Sequence, residues 1–224
     1  MSPSKILSCL CLLAVANYVA YASDPSQLQD FCVGVTNPID GLFVNGLFCK
    51  NPTVVTPEDF YFKGIDKRRN TMNQVGSNVT RVTAANIPGL NTLGVSIARI
   101  DFAPFGVNTP HTHPRATELL TVLEGTIYAG FVTSNLANGD NKVFAKVLHK
   151  GDIYVFPQGM IHFEANLGKT PAVALSSFSS QNPGAVTIAA AMFGSKPSIA
   201  VGVLARAFQL DPRIVKKLQS LRFG

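Results

Sequence analysis

Pro110-His111-Thr112-His113-Pro114-Arg115-Ala116-Thr117-Glu118 is the stretch around which the rest of the chain is organised. Residues two apart on an extended backbone project from the same face, so the imidazoles of His111 and His113 can converge on one point inside a sheet or barrel. Glu118 lies five residues beyond His113, which is the wrong parity for one flat strand. The Pro114-Arg115-Ala116 interval can bend the chain and return its carboxylate to the same centre. Any single His-x-His arises by chance in many chains, and a lone histidine in a β protein is more often a hydrogen-bonded core residue than a ligand. A ligand reading therefore needs a second frame.

Gly151-Asp152-Ile153-Tyr154-Val155-Phe156-Pro157-Gln158-Gly159-Met160-Ile161-His162 supplies it: an apolar strand, a Pro-x-Gly turn, then a histidine on the next strand. Three of the four histidines of the chain fall in these two frames, and His149, outside both, reads as a surface or strand-edge residue. His111, His113, Glu118 and His162 together offer four metal ligands of mixed hardness. They could close a tetrahedral zinc site, or hold a six-ligand metal with two positions left for water, substrate or dioxygen. The residues alone permit iron, nickel, cobalt, zinc or manganese.

The two frames carry a resemblance. His111-x-His113-x4-Glu118-x6-Gly125 resembles the first motif of the cupins, and Gly151-x5-Pro157-x-Gly159-x2-His162-x3-Asn166 matches the second. The wording from His111 to Glu118 further resembles the germin branch, the plant cell-wall cupins that include oxalate oxidase and the germin-like proteins. The likeness covers nearly all of the chain after residue 22, including Gln29-Asp30-Phe31-Cys32, Asn91-Thr92-Leu93-Gly94 and Phe178-Ser179-Ser180-Gln181-Asn182-Pro183-Gly184.

The resemblance implies an all-β fold, a cupin jelly-roll β-barrel, with C-terminal α-helices. It selects manganese among the possible metals, an apoplastic location in the plant cell wall, a part in defence or oxidative stress, and assembly as a hexamer, a trimer of dimers. A Mn(II)/Mn(III) couple could dismutate superoxide or, with an organic acid bound, oxidise it with dioxygen. Oxalate oxidases of this branch resemble one another in presenting two asparagine side chains to the bound substrate. The matching positions here are Asn108, a possible substrate contact, and Ala98. An alanine methyl cannot donate to a carboxylate, and losing one donor to a charged group costs about 1.5–3 kcal/mol. Oxalate oxidation is therefore disfavoured. Phe105 stands where the first motif has its usual glycine, with Gly106 one residue late, so the loop into His111 is expected to be bulkier and access to the pocket reduced. Three readings follow: a manganese superoxide dismutase, an oxalate oxidase producing hydrogen peroxide, and a non-enzymatic extracellular binding or receptor-like protein.

The amino terminus places the chain in a compartment. Lys5, the apolar run from Ile6 to Ala16 and the small-x-small pattern Ala20-Tyr21-Ala22 read as a secretory signal peptide over residues 1–22. The run is shorter than the ~20 residues a membrane span needs, and no later stretch reaches that length without charges, Gly or Pro. The expectation is a secreted protein, with residues 23–224 as one domain, its barrel roughly over 80–185 and a helical segment roughly over 197–224. Cys9 and Cys11 leave with the signal, so Cys32 and Cys49 remain. In an oxidising compartment they would pair, as an amino-terminal pair at similar spacing does in germin-like proteins, and the closed loop would add on the order of 3 kcal/mol. Two free thiols, or Cys49 as a metal ligand, are the alternatives.

Residues 63–78 are polar and basic and read as a surface loop ending at Asn78-Val79-Thr80, a sequon for glycosylation of Asn78. Beyond it, Leu93 to Phe102, Glu118 to Val132, Lys142 to Leu148, Asp152 to Phe156 and Ala172 to Phe178 read as strands without helical period between them, an antiparallel sandwich or barrel. From Pro197 to Leu210 the spacing of apolar residues turns helical, and Asp211-Pro212 places a capping side chain and an N1 proline ahead of a second helix. Apolar residues to spare on such a pair suggest packing against a neighbouring subunit. After removal of Lys5, 18 basic residues stand against 13 acidic ones. That excess is dispersed, without a basic stripe interleaved with aromatics, so nucleic acid is not an expected partner, whereas weak adhesion to acidic cell-wall polysaccharide is. The expected small partners are superoxide or a small anionic substrate.

Overall fold

The computed structural model describes residues 32–37, 39, 41–43 and 47–221. The signal-peptide reading of residues 1–22 lies outside them. Two five-stranded antiparallel sheets face each other as a jelly-roll barrel, and three short helices follow. A small ribbon precedes the barrel, formed by β1 (Leu42–Phe43) and β2 (Phe48–Cys49). One barrel sheet contains β3 (Ser77–Val82), β4 (Ser96–Phe102), β6 (Glu118–Glu124), β9 (Ile153–Phe156) and β11 (Ala172–Phe178), in the order β3-β4-β11-β6-β9. The other contains β5 (Val107–Thr112), β7 (Thr126–Val132), β8 (Val143–His149), β10 (Ile161–Asn166) and β12 (Val186–Thr187), in the order β12-β5-β10-β7-β8.

Alternation explains what fills the barrel. Ile100 and Phe102 on β4, Leu120 and Val122 on β6, Ile127 on β7, Leu148 on β8 and Phe156 on β9 meet in one buried cluster between the sheets. Burying each such side chain contributes roughly 1.5–3 kcal/mol before entropy is counted. The outer face of β4 is also covered. Arg99 and Asp101 pair there at 2.7 Å, while Arg69 N–H donates to Asp101 Oδ2 and Arg99 Nη1–H to the Ile65 carbonyl. The basic loop expected over residues 63–78 is thereby pinned to the sheet, and its last two residues already belong to β3.

The run from Glu118 to Val132 is two strands, not one: β6 in one sheet and β7 in the other. Gly125 turns it at φ +78°, and a Cβ there would lie 2.7 Å from Ala172 Cβ. Near the first histidine frame the chain departs from expectation. Phe105 itself adopts φ +58°, conformational space usually left to glycine. Gly106 follows because a Cβ there would lie 2.0 Å from the Gly76 carbonyl oxygen. The Phe105 ring is 64% exposed and is not among the residues that line the pocket described below. The expected obstruction is absent because the turn throws the ring outward.

Cys32 and Cys49 form a disulfide across a separation of 17 residues. The free-thiol and metal-ligand alternatives are thereby removed. Asn91, fully buried, clamps the same segment: its amide donates to Cys32 Sγ and the Leu47 carbonyl, and its Oδ1 accepts from Leu47 N–H. Asn78 lies on the outer face of β3, its amide donating to the Asn70 carbonyl at 3.0 Å. His149 is exposed at the end of β8.

The carboxyl-terminal helices are α1 (Ile188–Phe193), α2 (Val201–Phe208) and α3 (Pro212–Gln219). α1 was not legible as a helix; it continues directly from β12. Asp211 caps α3 as expected, accepting from Arg213 N–H at 2.7 Å. Leu204 and Val215 are buried, whereas Val203, Phe208 and Ile214 remain exposed. Among the described residues no helix is long and apolar enough to cross a membrane.

Candidate metal centre

β5 delivers His111 and, one residue past its end, His113; the bend at residues 114–115 lets the chain re-enter the opposite sheet as β6, beginning at Glu118. β10 brings His162 directly opposite His111 in register. The two sequence frames are also tied by their turns. Gly159, at φ +79°, donates its N–H to the His113 carbonyl, and Gln158 donates to the Pro114 carbonyl. All four expected ligands are buried, and one ligand atom from each lies within 4.8 Å of the others.

The hydrogen bonds around the rings fix what those atoms are. Nδ1 of His111 lies 2.8 Å from the Thr109 carbonyl, Nδ1 of His162 lies 2.9 Å from the Met160 carbonyl, and Nδ1 of His113 contacts the Gly184 carbonyl. A carbonyl only accepts, so each Nδ1 carries the proton and each Nε2 keeps its lone pair in the neutral ring. Glu118 Oε1 accepts from Ser176 Oγ at 2.5 Å, which leaves Oε2 pointing at Nε2 of His113, 3.1 Å away, and of His162, 3.2 Å away. At these distances either a proton or a metal cation must stand between each Nε2 and the carboxylate oxygen. The donor set therefore fits a divalent metal ion, with the outer partners already orienting each ligand.

Burial, with the neighbouring His162, pushes His111 down to about 4. Burial alone would raise the Glu118 carboxyl, but hydrogen bonding to His113 and His162, with Ser176 adding to it, holds it down to about 2. Neutral imidazole and ionised carboxylate are the forms that ligate metal. Phe156 stacks on His162 at 4.4 Å between centroids, and Phe178 meets the His113 ring edge-on at 4.8 Å. These rings hold the imidazole planes and dry the barrel side of the centre.

A cavity of about 270 Å³ opens beside the centre and is lined by His111, His113, Glu118, Ser176, Asn108 and Ala98, among others. Both positions matched to the substrate asparagines of oxalate oxidases thus face this cavity. Sequence reasoning missed Ser176, whose role depends on strand register, and the Gly184 carbonyl, which arrives from a distant loop held by Arg115 through Asn182. It also missed Glu164, although its spacing of two from His162 on a strand was a signal. Glu164 is fully buried opposite Asn108, and neither carboxyl oxygen makes a hydrogen bond among the described residues.

Burial, reinforced by the charge of Glu118, raises the Glu164 pKa well above the ordinary 4.5, against a smaller opposing effect of Asn108. The folded protein then holds a proton that the unfolded chain releases, so this group's contribution to stability falls as pH rises above 4.5. In metal-free protein, Glu164→Gln should gain on wild type by up to about 1.4 kcal/mol per pH unit over the lower part of that range. Parallel denaturant titrations from pH 5 to 8 would reveal it; a gap independent of pH would show that the carboxyl is ionised throughout.

Comparison with known proteins agrees with this geometry. The cupin family model matches residues 63–216. A germin-like protein of Mesembryanthemum crystallinum is 56% identical over 99% of both chains. Germin-like protein subfamily 1 member 7 of Arabidopsis thaliana is 59% identical over 93% of this chain and 90% of its own. Among solved structures, a recombinant oxalate oxidase in complex with glycolate superposes with a TM-score of 0.82 at 41% identity, covering 88% of this chain and 97% of that one. Peruvianin-I of Thevetia peruviana latex, described as a cysteine peptidase, has a TM-score of 0.67 at 39% identity over 74% of this chain and 98% of its own. With identity of this depth over nearly the whole chain, the chain belongs to the germin-like branch of the cupin family.

Proposed function

We propose that this is a secreted, apoplastic manganese-binding germin-like protein that dismutates superoxide and oxidises oxalate poorly, acting in defence or oxidative stress. The observation that carries the metal reading is the convergence of three imidazoles and one carboxylate, all buried, beside an open cavity. Manganese is favoured over the other metals by family membership and by the mixed nitrogen and oxygen donors, which leave room for two more ligands. When bound, a manganese ion would supply one-electron redox chemistry. This chain's residues hold the ligands in their neutral or anionic forms and keep the barrel side dry. Superoxide needs only an open position, whereas oxalate needs donors on both sides, and Ala98 provides none.

The cysteine peptidase activity of the latex relative finds no nucleophile here among the described residues, because Cys32 and Cys49 are bonded to each other. The exposed apolar residues Val203, Phe208 and Ile214 on the helices support a homo-oligomer, with the hexamer of germins as the expected form, to be checked by light scattering. Signal cleavage after Ala22 and glycosylation of Asn78 belong to the same reading. Purified secreted protein should contain close to one manganese per chain and dismutate superoxide beyond the activity of released manganese. Full metal occupancy without activity in either the superoxide or the oxalate assay would replace the enzyme with the extracellular binding-protein reading.

A further inference from the structure

We infer that Arg81 is a specificity-determining residue of this cavity, and that it takes the remote carboxylate of a dicarboxylate longer than oxalate whose other carboxylate sits at the four-ligand centre. The inference rests on the metal reading above and adds the substrate class. Its first support is register. Arg81 on β3 stands opposite Ala98 on β4, and Ala98 stands opposite Ser176 on β11. Directly paired residues of neighbouring strands leave the sheet on the same face. Ser176 points inward, since its hydroxyl bonds Glu118. Ala98 and Arg81 therefore point inward too, and all three line the cavity.

The second support is what occupies each place in that row. Ser176 serves the centre. Ala98, next to it, is 2% exposed and offers only a methyl. Arg81 comes next, two strand spacings from Ser176, on the order of 10 Å between backbones. It lies on the edge strand, where the barrel opens, and is exposed. Its guanidinium has no hydrogen-bond or ion-pair partner among the described residues, unlike Arg68, Arg99, Arg115 and Arg213, each held by a carboxylate or an amide. Among the described residues it is also the one lysine or arginine lining the cavity, where Glu118 is the one acid.

A planar guanidinium with its donors unspent suits a carboxylate, which it can grip through two parallel hydrogen bonds. Oxalate joins its carboxylates by a single bond and cannot occupy both the centre and a site beyond Ala98. A diacid with intervening carbons can, its apolar middle lying against the Ala98 methyl. The cavity is close to the lower end of the roughly 300–1,000 Å³ typical of small-molecule sites, ample for a diacid of three or four carbons.

The test uses full secreted protein loaded with manganese and titrated calorimetrically with oxalate, malonate, succinate and the monocarboxylates propionate and butyrate. Malonate or succinate should bind at least about 10-fold more tightly than the monocarboxylate of equal length. Arg81→Gln should remove that preference, weakening the diacid about 10- to 100-fold while leaving monocarboxylate binding and metal content unchanged. Arg81→Lys should recover part of it, through charge without the paired geometry. Equal binding of diacids and monoacids, or a diacid preference that survives Arg81→Gln, with metal in place would overturn the role of Arg81 and leave the metal centre standing. Protein that takes up no metal would overturn the centre itself, and this inference with it.

Discussion

His162→Ala should bind manganese more than about 100-fold more weakly than wild type and lose superoxide dismutation with it. Removing an outer partner of a metal ligand typically costs 10–100-fold in affinity or activity, and His162 is itself one of the four candidate ligands. It is also the one contributed by the second frame, directly across from His111. His111→Ala, His113→Ala and Glu118→Ala should behave alike. Ser176→Ala should fall in the 10–100-fold range, because it frees Glu118 Oε1 without deleting a ligand. His149→Ala, on an exposed strand end, should change nothing.

The same series has a stability signature. Ligand binding adds about 2.7 kcal/mol of stability when the free metal is at 100 times its dissociation constant, so the wild type should melt well above its metal-stripped form. In His162→Ala the two melting temperatures should coincide at equal metal concentration. A full manganese complement in His162→Ala by elemental analysis would sink the four-ligand assignment.

The second large effect concerns oxalate. Wild-type protein should turn it over slowly, and Ala98→Asn should raise kcat/KM by roughly 10- to 150-fold, the equivalent of about 1.5–3 kcal/mol for one hydrogen bond to a charged group. Ala98 and Asn108 both line the cavity, one from each sheet, so the restored amide would face the pocket from the side opposite Asn108. Adding Phe105→Gly should bring no further gain, since the exposed Phe105 ring is outside the cavity lining and distant, independent sites act additively. Ordinary oxalate oxidase efficiency in the wild type would contradict the Ala98 argument. A synergistic double variant would mean that the Phe105 turn shapes the pocket after all.

Much of the centre was legible because its determinants are local. His111 and His113 share strand parity, the bend before Glu118 is written in Pro114, and the Pro157-x-Gly159 turn announces His162. Each can be read within a dozen residues. The strand from Ala172 to Phe178 was likewise bounded by its flanking breakers. Where one apolar run contained two strands of opposite sheets, as on either side of Gly125, hydrophobicity could not mark the turn, because both strands face the same core. Helix α1 escaped notice because six residues are too few to display a helical period.

The sequence by itself thus determined the four candidate ligands and an antiparallel sandwich or barrel, and through its two motifs the resemblance that implied the family branch and the jelly roll, since motif spacing and strand patterning are properties of neighbouring residues. Tertiary structure alone decided the rest. The proton on each Nδ1, the hold of Ser176 on Glu118, the isolation of Glu164 and the row from Ser176 through Ala98 to Arg81 all depend on which strand or loop lies beside which. Register between strands far apart in sequence is set by the packing of the whole core, because a slip of one residue would turn every inward side chain out to the opposite face.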